Sequence, residues 1–155
     1  MKKTFFSTLA ALCAASCASL YADNYSDLAA YKAGESLSWF YELRGESLNR
    51  SKSAQIERNI LGVLAEKKID DGAFKRACEI LKPIASKKSV GVLAKFLGDD
   101  FRAPWVCDVF ITLDSSSVDG ALAAALDGVS RKCKMSILST LASRGSSDGF
   151  GRAHV

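Results

Sequence analysis

Two stretches decide the fold: ACEILKPI at residues 77–84 and VCDVFITL at residues 106–113. Each apolar position of the first stretch returns at one constant step in the second. The matching pairs are Ala77 and Val106, Ile80 and Val109, Leu81 and Phe110, and Ile84 and Leu113. A fixed period of roughly 20–50 residues is typical of proteins built from stacked repeats.

The repeat continues beyond these two stretches. Leu93 and Leu97 return at the same step as Leu122 and Leu126. A third copy follows at a slightly shorter step and places its apolar residues at Ile137, Leu138 and Leu141. The apolar residues lie three or four apart, as in amphipathic helices, and no alternating run is long enough for a strand. The sequence therefore predicts an all-α protein, an α-solenoid of stacked antiparallel helix pairs.

The first 22 residues have the composition of a secretory signal peptide. Lys2 and Lys3 precede a short apolar run, and small residues stand before Asp23. The uncharged stretch from Thr4 to Ala22 leaves a membrane anchor as the alternative. Cleavage would lower the formal net charge from +4 to +2 and would give an exported protein, periplasmic or secreted, that no longer contacts the membrane.

The rest of the chain divides into three parts. We expect a helical cap at residues 23–53, interrupted by Gly45 and the serine-rich stretch after it, and helical repeats at residues 54–148. Ser86 and Ser130 are predicted N-caps, and the acidic pairs Asp70-Asp71 and Asp99-Asp100 are expected to cap the helices that they precede. An irregular tail at residues 149–155 stands where a second apolar helix is expected, which predicts a fragment of a longer protein whose last helix is half covered.

The pattern resembles the HEAT repeat family, in the short-helix form common in exported bacterial proteins. ILKPIASKKSVGVLAKFL at residues 80–97, followed by two aspartates, carries the resemblance, and ALAAAL at residues 121–126 matches it in the second unit. The resemblance covers residues 54–147 and implies an α-solenoid used for protein contacts. Exported bacterial members often carry such arrays beside another module, such as a haem-binding cytochrome domain or a carbohydrate-active sandwich.

Residues that could carry chemistry are few. Three cysteines remain after cleavage, Cys78, Cys107 and Cys133, and we expect them to be small buried residues, although a Cys78–Cys107 disulfide stays open if the helices tilt favourably. The sole histidine is His154 in the tail, and no Cys-x-x-Cys, haem-attachment or phosphate-loop motif is present. The sequence predicts no catalytic residue, no cofactor and no metal site.

Residues suited to contact with another protein are more numerous than residues suited to catalysis. Three consecutive aromatic residues, Trp39, Phe40 and Tyr41, cannot all face one side of a helix, and Trp105 is out of phase with its apolar neighbours. Charges alternate in sign without a concentrated basic stripe, which argues against nucleic acid as a partner. The predicted contact surface comprises Trp39, Tyr41, Lys87, Lys88, Lys95, Arg102 and Trp105.

Four functional hypotheses follow. The first is a non-catalytic scaffold that binds a protein partner or an adjoining domain. The second is the accessory helical region of a larger exported enzyme, cytochrome-like or carbohydrate-active, whose catalytic module lies elsewhere. The third is a small helical enzyme that uses Cys107 or Cys133, and the fourth is an envelope protein that holds an anionic polymer with Lys87, Lys88, Lys95 and Arg102.

Overall fold

A computed structural model describes residues 24–66 and 68–145. Regular structure in these two ranges is helical throughout, without a strand, and the expected all-α class is confirmed. The predicted signal peptide and the predicted tail at residues 149–155 lie outside the described residues.

Eight α-helices follow one another in the described residues, separated by short turns. Helix α1 occupies residues 24–30. The others are α2 (Ser38–Ser47), α3 (Arg50–Glu66), α4 (Asp71–Leu81), α5 (Lys87–Leu93), α6 (Ala103–Thr112), α7 (Ser116–Ala125) and α8 (Arg131–Ser143). Short 3-10 segments at Ala94–Phe96 and Leu126–Gly128 prolong α5 and α7.

The helices contact one another in two rows. In row A, which comprises α2, α4, α6 and α8, each helix packs on the next one of the row. In row B, which comprises α3, α5 and α7, α3 packs on α5 and α5 on α7. The rows meet where α3 contacts α2 and α4, and where α7 contacts α8. One continuous hydrophobic core runs through the described residues, from Leu28 in α1 to Leu141 in α8.

Local signals place the beginnings of the repeat helices. The side chains of Asp70 and Ser86 accept hydrogen bonds from the backbone N–H of Gly72 and Lys88, and Ser130 accepts one from Cys133. Each such cap stabilises its helix by about 1 kcal/mol. The predicted caps of α4, α5 and α8 are thereby confirmed. Asp99 accepts from the backbone N–H groups of Phe101 and Arg102 ahead of α6. Arg102 is the N-cap residue of α6 and no side chain caps that helix, so the expected capping of α6 by Asp99-Asp100 is wrong.

Three expectations about helix boundaries and coverage are wrong. Helix α2 continues through Gly45, because buried Leu43 and Ser47 hold it on both sides of the glycine. Helix α3 begins at Arg50, so the expected boundary between residues 53 and 54 falls inside it. Of the three residues of the last helix that are expected to be half covered, Ile137 and Leu141 are buried where α8 contacts α6 and α7, and Leu138 is partly exposed.

Candidate functional site

The two aromatic side chains predicted for a contact surface on α2 have opposite environments. Tyr41 is 66% exposed, so it remains available for a partner. Trp39 is only 2% exposed, and its ring meets Tyr31 edge-on with 5.7 Å between ring centroids. The expectation that Trp39 contributes to a contact surface is therefore wrong: successive residues point about 100° apart around a helix, and Trp39 points toward the segment that carries Tyr31.

Trp105 also has an internal role. Its ring is half-buried against the core on the side of α6 that faces α4, where the Lys75 ammonium lies 4.6 Å from the ring centroid. Because Trp105 is out of phase with Val106 and Val109 along α6, its side chain faces α4, the preceding helix of row A. The expected outward contact residue is thus a link between α4 and α6.

The four predicted cations do not act alike. Lys87, Lys88 and Lys95 are exposed on α5 and the 3-10 segment that follows it. The Arg102 side chain, by contrast, donates to Asp71 Oδ1 at 2.9 Å and to the carbonyl oxygen of Ile69 at 2.8 Å, and its guanidinium lies 5.1 Å from the centroid of the Phe74 ring. Arg102 ties the start of α6 to the start of α4, so its assignment to an outward-facing basic group is wrong.

Two sides of α6 face its neighbours in row A. Toward α4, Asp108 accepts from the Lys82 ammonium at 2.7 Å, and Thr112 donates to the carbonyl oxygen of Lys82 at 3.2 Å. Toward α8, the buried Cys107 thiol interacts with the Thr140 side chain. Phe110, one turn along the same side as Cys107, is fully buried.

The repeat makes the corresponding side of α8 recognisable. The step that leads from Val109 to Ile137 also leads from Cys107 to Met135 and from Phe110 to Leu138. Cys107 and Phe110 are buried, the former beside Thr140 of α8, whereas Met135 is 65% exposed and Leu138 is only partly buried. We call this side, formed by Arg131, Met135, Leu138 and Ala142, the terminal face.

The terminal face has a one-sided charge. Helix α8 carries Arg131, Lys132 and Lys134 and no Asp or Glu over its whole length from Arg131 to Ser143. Asp100 lies near its beginning, where the carboxylate accepts from the Ser130 hydroxyl and from the Cys133 thiol, and these hydrogen bonds hold the pKa of Asp100 below its ordinary value. An apolar strip with cations beside it is suited to contact with an acidic apolar surface.

Sequence reasoning missed two polar anchors between helices. The Arg144 guanidinium, which follows α8, donates to Asp119 Oδ1 and to the carbonyl oxygens of Phe110, Leu113 and Ser115. Buried Glu57 in α3 accepts through Oε1 from the Ser86 backbone N–H and from two serine hydroxyls near the start of α5. Glu57 could have been found, because it falls in register with the apolar residues Ile60, Leu61 and Leu64 of its helix.

All three cysteines of the described part are unpaired and buried, as small apolar residues are, and the Cys78–Cys107 disulfide does not form. Burial raises the pKa of the Cys78 thiol, and the nearby Asp108 carboxylate adds to the effect. Burial also raises the pKa values of Cys107 and Cys133, the latter beside Asp100. These surroundings disfavour the thiolate, which is the nucleophilic form.

Native Cys78 is expected to react with a thiol reagent at least about 100-fold more slowly than in the unfolded chain. The pKa of the Cys78 thiol is higher in the folded protein than in the unfolded chain. The contribution of the neutral thiol to the stability of the folded protein is therefore complete below pH 9.0, and it is lost as the pH rises above 9.0. Cys78→Ala should therefore flatten the loss of stability above that pH. Equal labelling rates for the native and unfolded protein would contradict the burial on which this expectation depends.

Two open clefts lie on the surface of the described part. One, of about 220 Å³, lies between α1 and α2 and is lined by residues that include Asp27, Tyr31, Glu35 and Trp39. Glu35 accepts there from the Lys32 backbone N–H, and the buried Trp39 indole N–H makes no hydrogen bond. A second cleft of about 220 Å³ lies where α6 ends, with Arg144 in its wall.

No group of three His, Cys, Asp or Glu side chains within residues 24–66 and 68–145 is placed to hold a metal ion. None of the helices described is both long and apolar enough to cross a membrane.

Comparison of the sequence with family models, with curated proteins and with solved structures gives no match.

Proposed function

We propose that this protein is an exported α-solenoid of HEAT type that serves as a non-catalytic scaffold for protein contacts. Three features support the α-solenoid: the nearly constant step of the sequence repeat, the packing of each row-A helix on the next, and the packing of α3 on α5 and of α5 on α7 in row B. Stacked helical repeats of this kind present extended surfaces to other proteins.

The terminal face is the observation that carries the proposal. The positions at which Cys107 and Phe110 are buried in α6 are occupied on α8 by Met135, which is 65% exposed, and by Leu138, which is only partly buried. Exposed apolar side chains that continue a packed interface mark a site for another protein. Tyr41 and Leu48 at α2, which are 66% and 73% exposed, add a second apolar surface.

Photo-crosslinking in the source cells tests the scaffold role. A photoreactive residue replaces Tyr41 or Met135 in separate variants, and the same residue at Arg58, exposed on α3, is the matched control. We expect one protein to be crosslinked from at least one of the first two positions and not from the control. Crosslinks no stronger than the control at both positions would contradict the proposal.

Export is supported by the basic, apolar and small-residue segments in the first 22 residues. Amino-terminal sequencing of the purified protein is expected to begin at Asp23. Material that begins at Met1 and fractionates with the cytosol would overturn export while leaving the scaffold role intact.

A further inference from the structure

We propose that the terminal face of α8 binds an amphipathic helix of a partner protein, with acidic residues beside its apolar strip. This inference rests on the proposed function, because it names the partner for one surface of the scaffold. Its basis is the geometry of row A together with the charge of α8.

The shape of the occupant follows from the equivalent contacts inside the protein. The Cys107 side of α6 is covered by a helix, α8, and the equivalent side of α4, where Cys78 and Leu81 are buried, is covered by α6. The terminal face repeats that side in the next unit of the chain. A helix fills the same place when its axis lies about 8–10 Å from that of α8.

The apolar part of the contact is provided by Met135, Leu138 and Ala142. These residues are three and four apart in α8, so they form one strip along the helix. Met135 is unbranched and flexible, which lets it adapt to the side chains of a partner helix. A single exposed methionine would need no explanation, but here Met135 and Leu138 stand at the positions that are buried as Cys107 and Phe110 in α6 and as Cys78 and Leu81 in α4.

The positive charge of α8 favours an acidic partner helix over a second copy of this protein at the terminal face. A second copy whose α8 lay parallel to this one, with the two terminal faces in contact, would place Arg131 and Lys134 near their counterparts, which is repulsive. Asp100 lies near the start of α8, and hydrogen bonds from Ser130 and Cys133 already engage it. Lys132 lies 5.1 Å from the Phe101 ring centroid, while Arg131 and Lys134 are exposed beside the strip. Acidic residues on the partner would pair with these two cations.

Two labelled helical peptides test the proposal on the full-length protein. Both carry the same strip of leucine and alanine, with glutamate beside the strip in one peptide and lysine in the other. Fluorescence anisotropy is expected to give the glutamate peptide at least about 10-fold higher affinity, and Met135→Glu should weaken its binding at least about 10-fold. The double variant Arg131→Glu with Lys134→Glu should reverse the preference between the peptides.

The matched control is Arg50→Glu with Arg58→Glu, which makes the same change of charge on exposed residues of α3 and should leave both affinities unchanged. Circular dichroism checks that each variant is folded. Equal affinities for the two peptides, no effect of Met135→Glu, or no binding at about 1 mM peptide would overturn the proposal.

Self-association that Met135→Glu abolishes would also overturn it, by showing that a second copy occupies the terminal face. The outcome for the proposed function is separate. Crosslinking to a partner from Tyr41 would uphold the scaffold role even when both peptides fail to bind. Crosslinking from neither Tyr41 nor Met135 would remove the scaffold role itself.

Discussion

Arg144→Ala is expected to lower the free energy of unfolding by about 3 kcal/mol and the melting temperature by about 10 °C. The guanidinium, whose side chain is 11% exposed, joins the end of α6 to the start of α7 through three carbonyl oxygens and the Asp119 carboxylate. Alanine would leave all four acceptors without this donor in a partly buried place. Urea unfolding followed by circular dichroism measures the change.

Two further variants show whether the fork of the guanidinium matters. Arg144→Lys should recover only part of the loss, because a single ammonium cannot reach all the acceptors that the planar guanidinium reaches. Arg58→Ala, at an exposed arginine whose hydrogen bond goes to Gln55 in its own helix, should change stability by less than about 0.5 kcal/mol. Equal effects of Arg144→Ala and Arg58→Ala would show that the network contributes nothing.

Glu57→Ala is expected to destabilise the protein by about 2–3 kcal/mol. One oxygen of this buried carboxylate accepts from the Ser86 backbone N–H at 2.7 Å, from the Ser86 hydroxyl at 2.8 Å and from the Ser89 hydroxyl at 2.7 Å. Ser89 is fully buried, so its hydroxyl would lose a partner that water cannot readily replace. Thermal unfolding gives the overall loss, and hydrogen exchange should locate the faster opening in α5.

Glu57→Gln separates charge from hydrogen bonding, because the amide oxygen can still accept while the negative charge near the start of α5 is removed. It should cost less than alanine. Glu66→Ala, at an exposed glutamate of the same helix, is the control and should stay within about 0.5 kcal/mol of the wild type. If the amides of α5 exchange as slowly in Glu57→Ala as in the wild type, Glu57 does not hold α5 in place.

Periodicity predicted the parts of the fold that depend on residues close in the chain. Ile60, Leu64, Leu81 and Phe110 are buried as their spacing indicates, because one side of each helix needs only the 3.6-residue turn to be defined. Caps such as Asp70 were equally accessible to sequence reasoning, since a cap and the N–H group that it binds lie two or three residues apart.

Contacts between rows and between units were not predictable in the same way. Arg102 meets Asp71 across 31 residues, and Arg144 meets the Phe110 carbonyl across 34. Whether an arginine points outward or inward depends on which neighbouring helix supplies an acceptor, and that is set by the packing. Trp39 illustrates the same limit, because its burial follows from the position of Tyr31 in another segment of the chain.

The way row A is assembled bears on how the length of this protein can change in evolution. Helices α4 and α6 each contact the preceding helix of the row as well as the following one. In the proposed α-solenoid, a gene duplication that adds one whole pair of helices would find a helix to pack on at both of its ends. Such a lineage can become longer or shorter in steps of one pair while the residues inside each existing unit stay the same.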